Sequence, residues 1–116
     1  MREENLGFHY SERLKSNFML LARGLDRLSE LKGEELTGGK EVLKGVFDGL
    51  RIELNIARGF ITAEELGSAE MKIIEAQGNV ELGAYEKARM NLAEGISQVT
   101  TLAAKYIDAL KEKGLI

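Results

Sequence analysis

Cysteine, proline and tryptophan are absent from this chain, and histidine occurs once, as His9. Without cysteine there is no disulfide framework and no thiolate to bind zinc or attack a substrate, so the fold has to rest on packing alone. Without proline nothing forces a helix to break, and β-branched runs are scarce, so helix is favoured throughout. A single histidine leaves too few soft donors for a transition-metal site, and places His9 as a surface or edge residue. Four-helix di-metal proteins draw Glu-x-x-His from two helices, and this sequence holds no such motif. Glu-x-x-Glu pairs, which would set two carboxylates one turn apart for magnesium, are missing as well. The reading therefore includes no metal and no cofactor. Long apolar runs are lacking too. None approaches the ~20 residues that span a bilayer, and residues 1–10 (MREENLGFHY) hold no signal-peptide core. The expectation is a soluble, cytoplasmic protein with no membrane partner.

A strong charge of either sign is also missing. A net charge of −3 argues against a nucleic-acid surface, and the aromatic residues fall on apolar stripes instead of among basic ones. The charge is nevertheless uneven. Between Ala63 and Gly83, Glu64, Glu65, Glu70, Glu75 and Glu81 stand against the single Lys72. That segment reads as a solvated acidic face or as a contact for a basic partner.

The 116 residues, 44% hydrophobic and 30% charged, fit one domain over 1–116 with a core of useful size. Four amphipathic stripes fill it. Leu14, Phe18, Leu21, Leu25 and Leu28 recur at steps of four and three, the spacing that keeps side chains on one face of a helix. Leu43, Phe47, Leu50, Leu54 and Ala57 repeat the rhythm, followed by Leu66, Ala69, Ile73, Ala76 and Val80. The last stripe is Tyr85, Ala88, Leu92, Val99, Tyr106 and Leu110, with Ile96 and Ala103 at its edges. Each stripe runs out at a glycine, Gly33, Gly59, Gly83 or Gly114, three of them preceded by a lysine or arginine that suits the carbonyl end of a helix. The pattern predicts an all-α, antiparallel up-down-up-down four-helix bundle with helices at 10–32, 40–58, 63–82 and 85–113.

Local signals set the expected junctions. Ser11 followed by Glu12 reads as a cap and first-turn acid for the first helix. Residues 33–39 (GEELTGG) have three glycines and no period, and so read as the long connector. The following Lys40 and Glu41 extend this to GEELTGGKE, which superficially resembles a phosphate loop. Its lysine stands one place too late, and Glu41 replaces the metal-binding hydroxyl. Thr62 and Glu65 form a T-x-x-E capping box, flanked by Ile61 and Leu66 as a hydrophobic staple. Phe60 is placed to fold back on Leu54. Continuing one helix through Gly83 would swing the apolar face by about 100°, so a break is required there. The string Gly83-Ala84-Tyr85-Glu86-Lys87-Ala88 resembles the turn inside a tetratricopeptide repeat, which implies an αα-hairpin. Upstream it departs from that repeat, with Lys72, Glu75 and Ala76 where the family carries tryptophan, leucine and glycine.

Six glycines, Gly24, Gly45, Gly49, Gly67, Gly78 and Gly95, fall inside the expected helices, where each costs about 1 kcal/mol relative to alanine. On the second helix Gly45, Gly49, Ile52 and Ile56 make another stripe opposite the core one, leaving Lys44, Asp48, Arg51, Asn55 and Arg58 as the polar strip. On the third, Gly67, Met71, Ile74 and Gly78 do the same, with Leu82 trailing. A bundle buries one face of each helix, so these stripes need another cover. Either they pack within the chain, against the first helix, the connector or the segment with Leu6, Phe8 and Tyr10, or they meet a protein partner. The expected interface is Gly45, Gly49, Ile52, Ile56, Met71 and Ile74, and a homodimer is the first form it would take. The function expected is a non-catalytic protein–protein interaction module. The alternative is a small enzyme or ligand-binding bundle whose site is assembled across a dimer interface.

Overall fold

The computed structural model describes residues 2–114, the side chain of Arg2 excepted. Four helices occupy them: α1 (Arg2–Leu28), α2 (Gly33–Arg58), α3 (Glu64–Glu81) and α4 (Tyr85–Glu112). No strand occurs among the described residues. The direction of each helix follows from its cross-links. Along α1, Gly7 faces Tyr106, Phe18 faces Gly95 and Asp26 binds Arg89, so residue numbers rise in α1 as they fall in α4. Arg13 with Glu53 and Gly24 with Leu43 run α1 against α2 in the same sense. Glu65 with Lys105, Lys72 with Glu94 and Asn79 with Asn91 do so for α3 and α4. The diagonal pairs, α1 with α3 and α2 with α4, do not approach one another. The result is an antiparallel four-helix bundle 54 Å long and 21 by 18 Å across.

All fifteen residues of the first three stripes are buried. The fourth stripe is buried at Ala88, Leu92, Val99 and Leu110, with Tyr85, Ile96 and Tyr106 packed against the core in part. How closely the helices approach is decided by the small residues among them. On α4, Gly95 receives the ring of Phe18, and a methyl placed there would lie 2.4 Å from it. At the other end Gly7 receives the ring of Tyr106, 2.3 Å from where its methyl would be. Ala69 and Ala76 of α3 and Ala88 of α4, all fully buried, leave equally little between those two helices. α2 instead presents Leu43, Phe47, Leu50 and Leu54, and it approaches its neighbours at fewer points than α4 does.

Three local expectations are corrected. The first helix begins at Arg2, not near residue 10, because Gly7 and Ser11 extend its inward face by a further turn and more. Ser11 is thus no cap: it is fully buried within the helix, and its hydroxyl donates to the Gly7 carbonyl at 2.6 Å. That helix also ends at Leu28, and the amides of Ser29, Glu30 and Leu31 close it with turn bonds to the carbonyls of Leu25, Arg27 and Leu28. Second, residues 33–39 are not a connector but the first two turns of α2. Glu34 and Glu35 suit the positive end of its dipole, Leu36 packs against the core, and Gly39 leaves room for Leu28 and Leu31. Gly33, at φ +61°, turns the chain into this helix.

The third correction concerns the α2–α3 turn. Gly59 is not left-handed but lies at φ −73°, and Phe60 points outward to stack on Tyr10 with ring centroids 6.3 Å apart, away from Leu54. The capping box does not form either. Ala63 occupies the cap position without a side-chain bond, and Glu65 is held by Lys105. Ile61 and Leu66 are both buried in the core, as a staple requires. The α3–α4 break is where it was expected, with Gly83 at φ +75°.

Gly95 and Gly78 separate the two uses of glycine. Gly95→Ala is expected to lower unfolding stability by about 1–3 kcal/mol through overpacking against Phe18, whereas Gly78→Ala, in open space, raises it by about 0.5–1 kcal/mol. Urea unfolding of the two variants beside the parent checks both signs.

Candidate interaction surface

Among the described residues, the second stripe of α2 is left largely exposed. Ile52 is 60% exposed and Ile56 48%, and Val42, one turn before Gly45, is exposed as well. Nothing lies within 4 Å of the positions where Gly45 and Gly49 would carry a Cβ. These two glycines therefore serve no close approach inside the molecule, unlike Gly7 and Gly95, and their helix-weakening cost is unrecovered there. On α3, Met71 is 57% and Ile74 41% exposed, with Leu82 beyond them. Gly78 also faces open space, and the nearest atom to Gly67 is the Arg58 guanidinium at 3.8 Å. Among the described residues, the first helix, the 33–39 segment and the segment with Leu6, Phe8 and Tyr10 leave these side chains exposed.

The six residues do not form one flat patch. The polar strip of α2 lies on its flank toward α3: Arg58 binds Glu70 at 3.4 Å, and Lys40 and Lys44 share a cleft of about 280 Å³ with Gln77 and Glu81. The apolar stripe lies on the outer side and leans the other way, since Gly49 and Val46 share a cleft with Asn17 of α1. The structure thus brings Gly45, Gly49, Ile52 and Ile56 together along α2. It sets Met71 and Ile74 on a separate ridge beyond the charged strip.

Val42 lies inside the expected second helix but outside the expected interface. A stripe extended three residues back from Gly45 would have found it. Exposed Leu20 of α1 and Met90 of α4 belong to no periodic set and gave no signal.

The acidic character of α3 is largely answered within the bundle. Glu65 pairs with Lys105 and Glu70 with Arg58, while Glu75 takes both Lys72 at 3.6 Å and the Asn91 amide at 3.1 Å. Lys72 also reaches Glu94 at 3.1 Å, and the Asn79 amide donates to Asn91 at 2.7 Å. Glu64 and Glu81 remain exposed. This polar ladder fixes the register of α3 on α4, and it removes most of the charge a basic partner would seek.

At one end of the bundle Glu3, Glu4, Glu64, Glu65, Lys105 and Tyr106 line an open cleft of about 500 Å³. The Lys113 ammonium beside Glu4 holds its carboxyl down to about 2, and Lys105 lowers Glu65 in the same way. Burial raises the Tyr106 phenol, helped by the nearby carboxylates of Glu3, Glu65 and Glu4. The cleft thus holds carboxylates kept ionised by lysines and a phenol kept protonated, not a nucleophile beside its base. His9 is exposed, beside the ring of Phe8. Among the described residues, no group of three or more histidine or acidic side chains is placed to hold a metal ion, and no helix is long and apolar enough to cross a membrane. No family model matches the chain, and neither a curated protein nor a solved structure matches it.

Because the Glu4 and Glu65 carboxyls are lowered on folding, their pairs stabilise the fold above the ordinary carboxylate value near 4.5 and are lost as pH falls toward 2. The urea midpoint is expected to drop through that window. A Glu4→Gln, Glu65→Gln double variant should start lower and fall less steeply, as titration of the midpoint from about pH 6 downward checks.

Proposed function

We propose that this chain is a non-catalytic protein–protein interaction module that self-associates through the outer faces of α2 and α3. The observation that carries the reading is the α2 stripe, in which Ile52 and Ile56 are about half exposed beside two glycines with no described atom within 4 Å of their Cβ positions. Single exposed apolar residues are ordinary on a protein surface, but Val42, Ile52 and Ile56 at helical spacing on one helix, with Gly45 and Gly49 between them, make a continuous stripe. Covering each isoleucine would recover about 1.5–3 kcal/mol, and the looser packing of α2 leaves that helix the least satisfied by its own chain. Met71 and Ile74 supply a second ridge to the same assembly. A cytoplasmic setting accompanies this reading, for a fold held by packing without disulfides.

Light scattering or sedimentation of the purified protein tests it. The expected result is a homodimer at tens of micromolar, with Ile52→Glu weakening association by about 30-fold or more, as loss of a ~2 kcal/mol anchor implies. A parent protein that is monomeric over that range would sink the reading.

A further inference from the structure

We infer that the partner seated on α2 is the α2 of a second copy, running antiparallel across a two-fold axis, so that the glycine half of each stripe receives the isoleucine half of the other. This inference rests on the self-association proposed above and adds its geometry. Along α2 the stripe divides in two: Gly45 and Gly49 form a depression toward the N-terminal side, and Ile52 and Ile56 a projection toward the C-terminal side. In a parallel pair glycine would face glycine and isoleucine face isoleucine, leaving a gap at one end and a wedge at the other. Reversal sets Gly45 opposite Ile56 and Gly49 opposite Ile52, twice, at an even separation between the helix axes.

Charge supports the same direction. An antiparallel two-fold brings the same flank of both helices together. The α3-side flank of α2 carries Asp48 and Arg51, both exposed and neither ion-paired within the described residues. The reversal that pairs Gly45 with Ile56 sets Asp48 of one copy two residues, about 3 Å along the axis, from Arg51 of the other, within reach of the long arginine side chain and twice by symmetry. Glu53, on the opposite flank, is already engaged by Arg13 at 2.8 Å and so adds no unpaired charge there. Opposed helix dipoles also favour the antiparallel form. The side of the bundle, 54 by 21 Å, has room for the ~800 Å² per partner of a standard interface.

The absence of cysteine makes the test direct, since an introduced thiol is the only one in the molecule. Gly45→Cys and Ile56→Cys are prepared singly and oxidised alone and as a mixture, with sedimentation run in parallel under reducing conditions. Residues 45 and 56 are about 16 Å apart along a helix axis at 1.5 Å per residue, beyond the ~7 Å limit for a disulfide. The expected result is little covalent dimer from either variant alone and efficient cross-linking in the mixture. Self-cross-linking of either variant alone would overturn the antiparallel geometry in favour of a parallel pair. A dimer by sedimentation that fails to cross-link in the mixture would overturn the α2 contact while leaving self-association standing. A parent protein that sediments as a monomer defeats both readings. Charge exchange gives a second measure: Asp48→Arg and Arg51→Asp should each weaken the dimer about 5-fold or more, and the double variant should restore it. Weakening that the double variant does not repair would count against the pairing.

Discussion

The close approach of α1 to α4 is the constraint on which the rest of this bundle depends. It is made by two aromatic rings lying over two glycines, Phe18 on Gly95 and Tyr106 on Gly7, one near the middle of the bundle and one near its end. Each glycine sacrifices some helix stability, and each recovers it by admitting a ring where a methyl could not fit. Alanines perform the same service between α3 and α4. These three helices consequently form the tightly packed part of the molecule. α2, whose inward face is leucine and phenylalanine, completes the core without drawing as near.

That asymmetry orders the surface. Most of the charge on α3 is spent on Lys105, Arg58, Lys72 and Asn91, so its polar groups align the bundle before they offer anything to solvent. On α2 the charges occupy the flank toward α3, and the apolar stripe is left facing outward. Two glycines that receive no ring, beside two half-exposed isoleucines, are the counterpart of the Gly95–Phe18 contact with one half missing. The proposed second copy supplies that half.

Several junctions show why local signals misled. The T-x-x-E string at Thr62 has every residue a capping box needs, but Glu65 gains more from the Lys105 ammonium than from a backbone amide, and the cap passes to Ala63. Residues 33–39 look like loop by composition, with three glycines and no period. They are helical because Leu36 reaches the core and Gly39 makes space for Leu28 and Leu31, a gain that outweighs low intrinsic propensity. Gly59 carries the same stop signal as Gly83 without the left-handed backbone, because Ile61, two residues on, is drawn into the core by a different turn.

By itself the sequence determined the helix count, the inward face of each helix and the α3–α4 break, because these rest on a periodicity carried by near neighbours in the chain. It also exposed the second stripes of α2 and α3, since a surplus apolar face is visible as a pattern wherever it falls. Only the tertiary structure decided which glycines are filled and which are open, and that the two stripes lie on either side of a charged strip. Those facts depend on what stands across from each residue on a different helix, and no local spacing encodes it.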